Sequence, residues 1–215
     1  MLAGRRIVLG VTGGIAAYKS AHLARLLVRS GAEVRTVMTE SALRFLGPAT
    51  LAAITGHRPA TGFWDEPSPS PHLELARWAD AVCIAPATAA TMARLAHGLS
   101  EDLLSAVVLA ARAPIVIAPA MHSEMWAHPA TRRNLASLLA DGCRVVGPVE
   151  GALAVGDVGP GRMVEPEAIV AALEQALGGG ALDGWRVLVS AGGTREPIDP
   201  VRFVGNRSSG KMGNA

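Results

Sequence analysis

Two rhythms alternate along the chain. Short runs rich in Val and Ile stand at 6–11, 33–38, 81–85, 115–118 and 144–146. Runs of this length, bounded by turn residues, predict buried strands. Between them lie longer segments with a helical repeat. In 15–30, Ala16, Leu23, Ala24, Leu27 and Val28 fall on one face, and Gly31 ends the helix. Further helices are predicted over 41–46, 49–55, 88–97, 101–111, 132–140 and 166–177. Apolar strands separated by helices predict a parallel sheet covered on both faces, a doubly wound α/β domain with ligands at the carboxyl ends of its strands. Two stretches break the rhythm. Residues 59–71 are rich in Pro and Ser, and 147–166 are rich in Gly. Both are expected to be long loops of the kind that serve as lids.

Gly178-Gly179-Gly180 reads as a linker. Beyond it, Trp185 to Ser190 has the pattern of a new strand, and Ala191 to Thr194 that of a turn. The expected organisation is one domain over 1–178, a linker at 179–184, and a fragment of a second α/β domain, cut short, over 185–215.

Half of the residues are hydrophobic and 18% are charged, as in a folded chain with a sizeable core. The net charge of +2 gives no electrostatic support for nucleic-acid binding. Two cysteines, Cys83 and Cys143, make no disulfide framework and suit a reducing cytoplasm. The apolar run at 7–11 is interrupted by Thr12, Gly13 and Gly14, so it is too short for a signal peptide or a membrane span.

The chemistry concentrates after the strands. Gly10 to Lys19 is a glycine-rich strand-to-helix turn. Such a turn can cradle a phosphate on backbone N–H groups at a helix N-terminus, or it can be a tight structural turn. Its spacing matches neither the dinucleotide fingerprint nor the P-loop. Thr39, Glu40 and Ser41 follow the second strand. Their hydroxyls suit a phosphate, and Thr39 or Ser41 equally suits a helix N-cap. Pro86 to Thr91 follows the third strand, with small residues that admit a flat ring or simply cap a helix. His72 is a usable base near neutrality, although an isolated histidine is more often a surface residue. His122, Glu124 and His128 follow the fourth strand, but their spacing is not that of a zinc site. Gly156 to Met163 is expected to be a mobile flap carrying one cation, Arg162.

As an ordered set these segments resemble one family. Gly-x-Thr-Gly-Gly-Ile-Ala-Ala-Tyr-Lys, Thr-Glu-Ser-Ala-x-x-Phe, His-x-Glu-Leu, Ala-Pro-Ala-Thr-Ala, Pro-Ala-Met-x-x-x-Met-Trp and Gly-Asp-x-Gly-x-Gly-Arg-Met are similar to the homo-oligomeric flavin-containing cysteine decarboxylases, over about residues 5 to 178. The tail, Ser190 to Phe203 and Asn206 to Gly213, resembles the opening of phosphopantothenoylcysteine synthetase, and the two are fused in this order in the bifunctional coenzyme A protein. The resemblance implies a Rossmann-like flavoprotein fold and FMN as cofactor. It implies decarboxylation of 4'-phosphopantothenoylcysteine to 4'-phosphopantetheine through a thioaldehyde and an enethiolate, with no ligase activity from so short a synthetase fragment.

The resemblance also implies roles. His72 is the expected catalytic base. Thr12, Gly13, Gly14, Ile15, Thr39, Ser41, Ala87 and Thr88 are expected to hold FMN. His122, Met125, Arg162 and Met163 are expected on the substrate, and Asn206 in the synthetase fragment. No metal is expected. A homotrimer with sites between subunits, assembling further to a dodecamer, is expected in the cytoplasm, with neither nucleic acid nor membrane as partner. Two positions depart from the family pattern. His122 stands where an Asn usually contacts the substrate carboxylate; a protonated imidazole can bind the same group with charge assistance. Val155 stands where the family has a proton-donating cysteine, just before Gly156-Asp157. That departure admits an alternative, a peptidyl-cysteine decarboxylase that stops at the enethiol. A non-catalytic flavin-binding regulatory subunit is a third reading, against which the intact His72 argues.

Overall fold

The computed structural model describes residues 2–64, 68–152, 156–178 and 195–205. Val155, Asn206, the linker at 179–184, the strand expected over 185–190 and the motif at 206–213 lie outside the described residues. Contacts divide the chain into two units, Met1–Gly178 and Gly179–Ala215.

In the first unit the elements run in the order that an α/β chain dictates. They are β1 (Arg6–Val11), α1 (Ala17–Arg29), β2 (Glu33–Met38), α2 (Pro48–Thr55), α3 (Pro71–Trp78), β3 (Ala81–Ala87), α4 (Ala89–Ala96), α5 (Leu103–Ala110), β4 (Ile115–Pro119), α6 (Ser123–Ala127), α7 (Pro129–Ala140), β5 (Arg144–Val145), β6 (Val149–Ala152), β7 (Val158–Arg162) and α8 (Pro166–Leu177). A short 3-10 helix over Glu40–Arg44 takes the place of the helix expected at 41–46. The second unit contains an antiparallel pair, β8 (Arg195–Pro197) and β9 (Phe203–Gly205).

The sheet is five-stranded and parallel, in the order β2-β1-β3-β4-β5. Because side chains alternate along a strand, each strand feeds two cores. Ile7, Leu9 and Val11 of β1, Cys83 and Ala85 of β3, and Val116 of β4 join Leu23 and Leu27 of α1 and Ile169 and Leu173 of α8 on one face. Val8, Val82, Ile84 and Ile117 join Leu75 of α3, Met92 of α4, Leu104 and Val107 of α5, and Leu138 of α7 on the other. Burying one large side chain of this kind stabilises a domain by about 1.5–3 kcal/mol. Leu104→Ala, at a position 1% exposed, therefore removes several such contacts at once.

Three segments differ from the sequence expectation. The loop expected over 147–166 contains an antiparallel hairpin, β6–β7. Its glycines and Pro160 hid the strand pattern, and the pairing that makes it a hairpin joins residues too irregular in hydropathy to read as strands. The loop expected over 59–71 is partly structured: Ala60 bridges Val37 and exchanges hydrogen bonds with Thr36 and Met38, covering the edge of β2. His72 lies in a helix, α3, opened by Pro71 at its first position. A short proline-led segment gave too few turns for the repeat to declare itself.

Candidate functional site

In a parallel sheet of this order, the connections leave β1 and β3 toward opposite faces, and a crevice opens at the carboxyl ends of those two strands. A cavity of about 640 Å³ lies there, lined by the turns after β1, β2, β3 and β4 and by the hairpin. At one end are Gly13, Gly14 and Ile15, together with Thr39, Ser41 and Thr88; at the other are Met121, His122, Met125, Arg162 and Met163.

The first end is built of backbone. Helix α1 starts with no side-chain cap, so the N–H groups before it are not spent on a side-chain oxygen. A Cβ on Gly13 would lie 2.5 Å from Ser41 Cβ and Oγ and 2.8 Å from the Ser41 carbonyl carbon, so only glycine lets the two turns close on each other. Thr39 and Ser41 share a hydroxyl contact of 3.2 Å, and neither caps the 3-10 helix that follows. Thr88 does cap α4, accepting from the Thr91 N–H at 3.3 Å. Backbone donors at a helix N-terminus beside three hydroxyls make an anion seat of phosphate size.

Two expected cofactor residues do not line the cavity. Thr12 is 1% exposed and spends its hydroxyl inside the fold, donating to Pro86 O at 2.8 Å and accepting from Thr88 N–H at 3.3 Å. It ties the turns after β1 and β3 together. Ala87 is fully buried beneath the same turn.

The second end is built of charge. His122 precedes α6, and its Nδ1 meets Glu124 Oε2. Its Nε2 lies 3.2 Å from Asp157 Oδ2, off the line of a hydrogen bond and screened from solvent. The Glu124 carboxyl is held below its usual range by its own backbone N–H and by the His122 ring. The hairpin is strapped to this loop: Met121 N–H donates to Gly161 O at 3.0 Å, and a Cβ on Gly161 would run into the Met121 carbonyl oxygen. At the foot of β7, Glu165 Oε1 accepts from Arg162 at 2.6 Å and from Lys19 Nζ at 2.9 Å, while Lys19 also donates to Met163 O at 3.0 Å. Lys19 chiefly, then Arg162, keeps the Glu165 carboxyl below the usual range. This Lys19–Glu165–Arg162 cluster was not foreseen. The available signal was a lysine four residues before Leu23, on the buried stripe of α1.

His72 does not line this cavity. Its ring stands edge-on to Phe63 at 5.6 Å, and its Nδ1 is buried with no hydrogen-bond partner among the described residues. Neither cysteine lines it either: burial pushes the Cys83 thiol up to about 12, and burial together with Asp141 raises that of Cys143. Among the described residues, no group of three or more His, Cys, Asp or Glu side chains could hold a metal ion, and no helix is long and apolar enough to cross a membrane.

Comparison with known proteins places this geometry. Residues 1–178 match the family model described as Flavoprotein, and residues 182–215 match that of the DNA/pantothenate metabolism flavoprotein C-terminal domain. The chain is 48% identical over 217 residues to the coenzyme A biosynthesis bifunctional protein CoaBC of Vibrio parahaemolyticus serotype O3:K6 (strain RIMD 2210633), a match that covers all of this chain and 54% of that protein. The chain thus spans about half the length of such relatives. Among solved structures it resembles a cysteine-to-serine mutant of PPC decarboxylase complexed with pantothenoylaminoethenethiol, with TM-score 0.72 and 35% identity, covering 80% of this chain and 97% of that one. It also resembles the FMN-dependent cysteine decarboxylase SpaF, with TM-score 0.72 and 41% identity, covering 83% of this chain and all of that one.

Proposed function

The chain belongs to the flavoprotein family, and from that premise we propose that it binds FMN and decarboxylates 4'-phosphopantothenoylcysteine to 4'-phosphopantetheine in coenzyme A biosynthesis. The observation that carries this reading is the cavity itself, with backbone donors suited to an anion at one end and ion-paired side chains, His122 and Arg162 among them, at the other. The residues present fit the cofactor. Gly13, Gly14 and Ile15 with Thr39, Ser41 and Thr88 would hold its phosphate, and the close approach of Gly13 to Ser41 makes the seat narrow. Bound FMN supplies reversible two-electron chemistry at the sulfur-bearing carbon of the substrate cysteine. The protein's part is to bind, orient and move protons. His122 and Arg162 would anchor the substrate carboxylate through charge-assisted hydrogen bonds, and Met125 and Met163 would pack against the chain. Thr12 and Ala87 would act beneath the seat, holding the two turns in register.

His72 would be the base. Its distance from the cavity and its unpartnered Nδ1 favour a homotrimer in which each His72 serves a neighbour's cavity, with further assembly to a dodecamer. A cytoplasmic location accords with two free thiols. Domain limits of 1–178 and 185–215, with Asn206 in a synthetase part, belong to the same reading.

The test is mass spectrometry of the yellow protein after incubation with 4'-phosphopantothenoylcysteine, with a cysteine-ended peptide as competitor. Loss of carbon dioxide from the phosphorylated substrate is the expected result. Preference for the peptide would favour the second reading, a peptidyl-cysteine decarboxylase, which the absence of a thiol from the cavity lining favours. Bound FMN with neither product would leave a flavin-binding regulatory role.

A further inference from the structure

The proposed reaction needs one more proton than the assigned roles supply. When carbon dioxide leaves, the electron pair of the broken C–C bond stays on the substrate as an enethiolate. The hydride removed from the sulfur-bearing carbon at the start is given back to it at the end. The remaining new C–H bond lies on the carbon that lost the carboxylate, and its proton must come from an acid.

We propose that His122 is that acid, a catalytic residue that first anchors the substrate carboxylate and then protonates the carbon which the carboxylate leaves. The inference rests on the decarboxylase reading and adds to it the identity of the proton donor.

The lining of the cavity narrows the choice. No thiol faces it. Lys19 is fixed between Glu165 and the Met163 carbonyl, at the foot of the hairpin. Arg94 and Arg162 do not give up protons. The hydroxyls of Thr39, Ser41, Thr88 and Thr91 hold theirs too tightly to act near neutrality, and Tyr18, at the rim, is 62% exposed. Among the described lining residues this leaves the His122 imidazole, a ring whose nitrogens can both give and take a proton.

Its surroundings suit the task. Carboxylates of Glu124 and Asp157 meet the two ring nitrogens, one on each side of the imidazole. The ring is therefore already a receptor for carboxylate. Asp157 is exposed on the hairpin, and its oxygen makes no aligned hydrogen bond to Nε2. A substrate carboxylate can take the place of Asp157 on that nitrogen. Once carbon dioxide has gone, the same N–H faces the carbon it left. Transfer of that proton turns the electron pair into a C–H bond and restores a carbon–sulfur double bond at the neighbouring carbon, which then takes back the hydride. Nδ1 keeps its proton toward Glu124 throughout, and Nε2 regains one from water once the product leaves.

The test uses the FMN-loaded protein with His122→Asn, which keeps a hydrogen-bonding anchor and removes the acid. FMN affinity, read by quenching of flavin fluorescence, should stay within about twofold of the parent. With 4'-phosphopantothenoylcysteine, the ratio of saturated thiol to enethiol in the product should fall by about a hundredfold, the span of general acid catalysis. The flavin absorbance should bleach with the first equivalent of substrate and stay bleached without air, whereas in the parent it recovers. Saturated thiol at the parent's ratio, with recovery of colour, overturns the proposal. So does an enethiol product from the parent itself, although the decarboxylase reading then stands. No loss of carbon dioxide from the parent overturns both. Should the Asn variant not take up FMN, His122→Gln is read by the same ratio.

Discussion

The two ends of the cavity are made in different ways. The Gly13–Gly14 end is backbone: a turn without side chains, an uncapped helix and three hydroxyls, all within a few residues of strand ends. The His122–Arg162 end is side chains: His122, Glu124 and Asp157 on one flank, and Lys19, Glu165 and Arg162 on the other, drawn from α1, α6 and the hairpin. A backbone site holds its ligand by shape and fixed dipoles. A side-chain site can exchange protons. In the proposed function the cofactor phosphate takes the first end and the reacting carboxylate the second.

The largest effect should come from breaking the link between the cavity and the histidine that does not reach it. His72→Asn should lower turnover by roughly 10²–10⁴-fold while the protein stays yellow. If the base is lent to a neighbour, mixing this variant with an FMN-free Gly13→Val variant should restore part of the activity. Complete absence of complementation after subunit exchange would put base and cavity in one chain. Next in size, Gly13→Val should weaken FMN binding by roughly ten- to a hundredfold, because the added carbons meet Ser41. Equilibrium dialysis measures this, and unchanged affinity would break the assignment of the first end.

A smaller effect separates the charged end. The Glu165 carboxyl is depressed in the fold, so its ion pairs add stability above the ordinary carboxylate pKa. That stability is lost as pH falls from there through the lowered folded value. Glu165→Gln should lower the Tm by about 1–3 °C at neutral pH, since the carboxylate is exposed and screened. The difference from the parent should vanish in acid. A difference that grows in acid would contradict the sign. The smallest expected effect is none at all: treating the protein with iodoacetamide at pH 8, and quenching the reagent before substrate is added, should leave decarboxylation intact, because both thiols are buried and raised. Rapid thiol-dependent inactivation would restore a cysteine to the site.

Legibility follows the same division. The strands of the sheet read directly from runs such as Ile7–Val11 and Ala81–Ala85, because parallel strands are apolar on both sides and need no partner to be recognised. Gly13, Gly14, Thr39, Ser41 and Thr88, which line the cavity, were legible as strand-end residues because a turn after a strand is a local event. The hairpin was not, since Glu150 and Pro160 pair across a stretch rich in glycine. Nor was the helix that carries His72, opened by Pro71 and only eight residues long.

The sequence by itself determined the parallel α/β sheet, the glycine-rich turn and the family, since each depends on residue types in local order. Only the tertiary structure decided that His72 stands away from the cavity, that Thr12 works beneath it, and that Asp157 meets His122 while Lys19 meets Glu165. Lys19 and Glu165 are 146 positions apart. Their attraction acts through space across 2.9 Å and leaves no period or spacing in the chain, so it appears only when the sheet has brought α1 and the foot of the hairpin together.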